Sequence, residues 1–98
     1  MTKYIDLTKP KEITMKIGND VIVIPELSYA EYNQVYDYEH NEKTTRKDEA
    51  KMTLWLLNRN TSGKVFTEED LGKLPMSAVS LIYRACILMT QKVLNDPN

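Results

Sequence analysis

Apolar side chains follow a period of two along the first part of the chain. They occupy alternate positions from residue 13 to residue 17, and an apolar run resumes at Val21 after Gly18-Asn19-Asp20. This alternation around a short polar turn predicts a β-hairpin over residues 12–25. Whichever pair of turn residues is central, odd positions of the first strand lie opposite even positions of the second. The predicted inner face therefore consists of Ile13, Met15, Ile17, Ile22 and Ile24.

Capping signals predict where the first two helices begin. Ser28 can accept a hydrogen bond from the backbone N–H of Glu31 while the Glu31 carboxylate reaches back, so a helix should start at Tyr29. Thr45 or Thr44 is the expected cap of a second helix. Both helices then continue with apolar residues at helical spacing.

The last two helices are predicted on either side of Pro75. Thr67 precedes a short acidic helix, with Phe66 and Leu71 at the positions of a hydrophobic staple. Pro75 separates this helix from the final one, for which Ser77 is the expected cap.

The final helix carries the strongest apolar pattern in the chain, in two neighbouring stripes. Together the stripes cover roughly 200° of the helix, about twice the arc that a surface helix needs to cover a core. One stripe is expected to be buried by the hairpin and the other helices: Val79, Ile82, Cys86, Met89 and Val93. The second stripe is either buried in the same way or covered by a partner protein, and it is a candidate binding surface: Leu81, Ala85 and Leu88.

The second helix shows a similar excess of apolar residues. Its expected core face is Ala50, Thr53, Leu54 and Leu57. Three further apolar residues lie off that face and are also candidates for partner binding: Met52, Trp55 and Leu56.

These elements predict an α+β fold that is mostly α. A length of 98 residues suits one domain. Residues 1–11 hold few apolar side chains and are interpreted as an N-terminal arm, while residues 12–98 form the globular domain. The predicted elements are a hairpin at 12–25 and helices at about 29–40, 46–59, 68–74 and 77–94.

The net charge, the first residues and the single cysteine limit the kinds of molecule and compartment to be expected. The net charge of −1 argues against a broad nucleic-acid or anionic-membrane footprint. The first residues lack the apolar segment of a signal peptide, and the last apolar run is short and contains Arg84, so no membrane span is expected. A single cysteine, Cys86, cannot form an internal disulfide, which fits a reducing cytoplasm.

Candidate catalytic groups are sparse, and no enzyme, cofactor or metal is expected. His40 is the only histidine and does not share a helical face with its acidic neighbours, so a solvated loop is the simpler interpretation. Cys86 lies on the expected core face without a histidine to activate it. The acidic run Glu68-Glu69-Asp70 is explained by the dipole of a helix start.

A helix-turn-helix regulator is an alternative. Residues 68–74, the break at Pro75 and the helix from Ala78 onward have about the right arrangement. The start of the would-be recognition helix offers apolar and small residues, with Arg84 as the nearest cation. DNA binding is therefore the less favoured interpretation.

The order of elements resembles the tail assembly chaperones of long-tailed bacteriophages. The resemblance is carried by a hairpin that runs through Ile24-Pro25-Glu26-Leu27-Ser28 into a helix, followed by a second helix. It is also carried by the segment 66–75, Phe-Thr-Glu-Glu-Asp-Leu-Gly-Lys-Leu-Pro, which leads into a long apolar helix. It extends over most of the chain from Glu12 to Leu94 and is one of pattern and element order.

The resemblance implies a non-enzymatic protein of the host cytoplasm that binds the tape measure protein before the tail tube polymerises around it. It implies absence from the mature virion and, as in many such phages, a longer frameshifted form that recruits the tail tube protein. The surplus apolar surface also makes self-association possible. This chain would be the short form, with the extension beginning at its polar end, Asn95–Asn98. The alternative within the same class is a connector or tail-completion protein that stays in the virion.

Overall fold

Strands β1 (Glu12–Ile17) and β2 (Asp20–Pro25) form a two-stranded antiparallel sheet. The protein is seen in a computed structural model that describes residues 3–4 and 6–91. Ile17 pairs with Asp20, so Gly18 and Asn19 are the central residues of the turn. Gly18 has a φ of 61° and Asn19 a negative φ, the signs of a type II′ turn, whose twist matches that of the strands.

The inner face of the hairpin is confirmed. Ile22 and Ile24 are fully buried, and Ile13, Met15 and Ile17 are half-buried against the same core. The register places odd positions of β1 opposite even positions of β2, as the alternation predicts.

Among the described residues, four helices follow the hairpin, which confirms the predicted fold class. They are α1 (Tyr29–Glu39), α2 (Arg46–Leu57), α3 (Glu68–Gly72) and α4 (Met76–Gln91). The first three end one or two residues earlier than predicted, because their last turns tighten into i→i−3 hydrogen bonds, as in Arg59 N–H to Leu56 O. The predicted end of α4 near residue 94 lies outside the described residues.

Reciprocal capping boxes begin the first three helices. Ser28 Oγ accepts from the Glu31 N–H at 3.1 Å, and the Glu31 carboxylate accepts from the Ser28 N–H at 2.9 Å. Thr45 makes the same pair of bonds with Asp48, and Thr67 makes it with Asp70. The predicted caps at Ser28 and Thr45 are confirmed.

The prediction that Ser77 caps the last helix is wrong. α4 already begins at Met76, and the Pro75 carbonyl accepts from the N–H groups of Ala78 at 2.9 Å and Val79 at 3.2 Å. Pro75 therefore occupies the N-cap position, and Ser77 lies inside the first turn.

The core joins the hairpin to three of the helices. α4 packs against α2 and against β1, and α1 contributes Val35. The buried cluster comprises Ile22, Ile24, Leu27, Val35, Leu56, Leu57, Ile82, Cys86 and Ile87. The described part of the N-terminal arm stays outside this core, with Tyr4 and Leu7 exposed.

Candidate partner-binding surface

α4 buries one face and leaves apolar residues on the other. Ile82, Cys86 and Ile87 are buried in the core. On the opposite side Leu81 is 62% exposed and Leu88 is 41% exposed. These two leucines are seven residues apart, so they lie on the same side of the helix. We call Leu81, Leu88 and the half-buried Ala85 between them the outer stripe.

The buried face of α4 differs in part from the predicted one. Val79 and Met89, expected on the buried face, are half-buried, and Val93 lies outside the described residues. Ile87, which belonged to neither predicted stripe, is buried. The hairpin and the other described helices do not cover Leu81 and Leu88, so the stripe is accessible to another protein.

Arg84 lies at the border of the outer stripe. Arg84 is exposed and forms no ion pair with any of the described residues. It lies one helical turn from both Leu81 and Leu88. Within the described residues, the surface therefore combines an apolar strip with the positive charge of Arg84 at its edge.

The candidates on α2 do not form a comparable surface. Leu56 is fully buried, which corrects its assignment to a partner-binding stripe. The core face of α2 is Thr53, Leu56 and Leu57, turned from the predicted face because several consecutive residues are apolar. Met52 and Trp55 are half-buried and pack against the core cluster.

Trp55 also contacts a side chain outside the core cluster. The Arg59 guanidinium lies 5.8 Å from the centre of its ring. This contact fixes the position of the indole against the body of the protein. Met52 and Trp55 therefore offer only their outer edges to a partner.

The candidate reactive side chains, Cys86 and His40, are explained by their structural environment. Burial raises the pKa of the Cys86 thiol to about 11, so it stays protonated near neutral pH. His40 is exposed at the end of α1, where its Nδ1 lies 2.9 Å from the Tyr36 carbonyl oxygen and its ring stacks on that of Tyr36. Across residues 3–4 and 6–91, no three His, Cys, Asp or Glu side chains lie close enough together to hold a metal ion.

A cleft of about 420 Å³ between α1, α2 and α4 is lined by Tyr38, Glu39 and Tyr83 among other residues. The Tyr83 hydroxyl donates to Glu39 Oε2 at 2.8 Å, and burial followed by this bond raises the pKa of Tyr83. Burial, followed by nearby carboxylates, also raises the pKa of Tyr38. Both hydroxyls thus stay protonated at neutral pH, and the cluster links α4 to the end of α1.

α3 and the start of α4 do not match a DNA-binding helix-turn-helix motif. α3 has only five residues, three of them acidic. The exposed start of α4 presents Met76 and Ser77, neither of which carries a positive charge. Phosphate contacts require cations at such a surface.

No helix within the described residues is both long enough and apolar enough to cross a lipid bilayer. No protein-family model matches the chain, and neither the curated proteins nor the solved structures include a significant match.

Proposed function

We propose that this protein is a tail assembly chaperone of a long-tailed bacteriophage and binds the tape measure protein through the outer stripe of α4. The observation that carries the proposal is the exposure of Leu81 and Leu88 on a helix whose opposite face packs into the core through Ile82, Cys86 and Ile87. The client class comes from the resemblance of the chain to these chaperones. The protein acts in the host cytoplasm and is not a catalyst.

The outer stripe has the spacing that suits a helical client. Leu81, Ala85 and Leu88 follow steps of four and three residues, the spacing at which one helix packs against another. The small side chain of Ala85 lets a second helix approach between the two leucines. Arg84 then faces the rim of the contact, where an acidic residue of the client would pair with it.

The energy available at this surface is modest. Covering a leucine that is about half exposed contributes on the order of 1 kcal/mol. A single contact would therefore be weak. Several chaperone copies along one long helical protein would together keep it from aggregating, because each copy covers another apolar segment.

Co-expression with the tape measure protein tests the proposal. A very long helical protein encoded in a neighbouring reading frame would be the candidate client, and the tagged chaperone should keep it in solution and co-purify with it. If the client precipitates equally with and without the chaperone, the proposed function is wrong.

The virion itself separates a chaperone from a structural component. Mass spectrometry of purified particles should detect the tape measure protein and not this chain. A stoichiometric amount of this chain in the particles would instead identify a connector or tail-completion protein.

A further inference from the structure

The hydrogen bonds of Val23 show which way the strands of the hairpin face. Its N–H donates to Ser62 Oγ at 3.0 Å, and its carbonyl accepts from the Thr61 N–H at 2.8 Å. The backbone of Val23 therefore points away from β1. Thr14, which lies directly opposite Val23, belongs to a non-hydrogen-bonded pair of the ladder, so its own N–H and carbonyl point away from β2.

Within residues 3–4 and 6–91, no strand pairs with the outer edge of β1. The backbone N–H and carbonyl groups of Glu12 and Lys16 point away from β2, as those of Thr14 do, because the three residues occupy alternate positions of the strand. In the described part of the chain, these outward-pointing groups bond to no other segment. The opposite edge, along β2, is covered by the turn that contains Thr61 and Ser62. An open strand edge is a template for a further strand.

We propose that β1 pairs in antiparallel fashion with β1 of a second copy of this chain, about a two-fold axis at Thr14. The two hairpins would then form one four-stranded sheet. In this register Thr14 lies opposite Thr14 of the second copy, and Glu12 lies opposite Lys16 of the second copy.

Charge complementarity selects a second copy and this register. The two-fold axis brings Glu12 and Lys16 together twice, once on each side of Thr14. Both charged side chains are exposed and project from the same face of the strand. A parallel pairing in register would place like charges beside each other, and antiparallel registers shifted by two residues would lose both pairs.

The direction of the backbone hydrogen-bonding groups agrees with this register. The outward-facing residues are the even-numbered ones, and the proposed pairing joins even positions only: 12 with 16, and 14 with 14. Each of these pairs can exchange two backbone hydrogen bonds. Any register that joined even to odd positions would leave those groups unpaired.

The apolar face of the sheet gains from the same pairing. Ile13 would lie opposite Met15 of the second copy, and both side chains are only half-buried in one copy. Strand pairing would cover part of their remaining apolar surface. It would also extend a two-stranded sheet to four strands, which are more stable than an isolated pair.

Charge exchange between the two positions tests the pairing. Sedimentation of the purified wild type, from about 10 µM to about 1 mM, should show a rising mass from the 11.4 kDa monomer towards a dimer. Glu12→Lys and Lys16→Glu should each weaken the dimer about tenfold or more, because each replaces two opposite-charge pairs by like-charge pairs. The double variant should recover the dimer, since it restores both pairs with reversed signs.

Matched controls separate pairing from net charge. Glu42→Lys and Lys43→Glu make the same charge changes in the exposed segment between α1 and α2 and should leave the dimer unchanged. A wild type that stays monomeric over the whole range overturns the proposal. So does a double variant as weak as the single ones.

Amide hydrogen exchange gives a residue-specific check on the wild type. Protection of the Thr14 and Lys16 amides should rise with protein concentration, whereas the Met15 amide, which points towards Ile22, should not change. Equal behaviour of all three amides would contradict an edge contact. These measurements need no client, so their outcome is independent of the proposed chaperone function.

Discussion

Arg59 and Glu31 form a bidentate ion pair that joins the turn after α2 to the start of α1. Arg59 Nε lies 2.9 Å from Glu31 Oε2, and Nη2 lies 2.9 Å from Oε1. The same guanidinium donates to the carbonyls of Pro25 at 3.1 Å and Glu26 at 3.0 Å. One side chain, 9% exposed, thereby ties two helices to the end of the hairpin.

Arg59→Met should lower the free energy of unfolding by about 2–3 kcal/mol, because it removes the ion pair and leaves two carbonyls without their donor. The loss falls below that of a fully buried pair, since water can still reach part of the Glu31 side chain. Urea denaturation measures the change. Arg84→Met removes an exposed arginine and should stay within about 0.5 kcal/mol of wild type. Equal stability of the two variants would show that the pair does not join the elements.

Acid should weaken the same contact. Hydrogen bonds from Arg59 hold the pKa of Glu31 below its ordinary value of 4.5, against the opposing effect of burial. The stabilisation is therefore complete above pH 4.5 and is lost as the pH falls through the lowered pKa of the folded state. The difference in unfolding free energy between wild type and Glu31→Gln should shrink from pH 7 to about pH 3. A difference that is constant over this range would argue against an ionised Glu31 in the pair.

Two serines near helix starts should respond differently to alanine. Ser28→Ala removes a cap that bonds to the Glu31 N–H and should cost about 1 kcal/mol in thermal or urea unfolding. Ser77→Ala should have an effect below about 0.5 kcal/mol, because Pro75 holds the cap position of α4. Equal costs at the two positions would place a cap at Ser77 after all.

Cys86 should be protected in the folded protein. Burial raises the pKa of its thiol from 9.0 to about 11, which lowers the thiolate fraction at pH 8 about a hundredfold. Reaction with a disulfide reagent should therefore be slow in the native state and fast in urea, with one thiol per chain. Rapid native labelling would mean that α4 opens readily or packs differently.

Local patterns were sufficient for the elements of this fold. The alternation around Gly18-Asn19-Asp20 predicted the hairpin and its inner face, and the capping box at Ser28 predicted the start of α1. These signals lie within a few residues of the feature they specify. The same is true of Thr45 at the start of α2.

Long-range relationships were not predictable in this way. Arg59 and Glu31 are 28 residues apart, and no period or spacing links them. Leu56 was assigned to the wrong side of α2 because residues 54–57 are all apolar, so spacing alone could not select the buried face. Helical spacing placed Leu81 and Leu88 in a separate stripe of α4 but left open whether that stripe is buried, and the structure shows both side chains exposed.

The most direct test of the account is the binding of the tape measure protein by Leu81→Glu and Leu88→Glu. Both variants should keep the native fold by circular dichroism, since these side chains are exposed, and both should lose co-purification of the client. Val65→Glu places the same charge at a residue that is 82% exposed and distant in sequence from the outer stripe, and it should bind like wild type. If both stripe variants fold and retain the client, or if both unfold, α4 does not carry the binding surface.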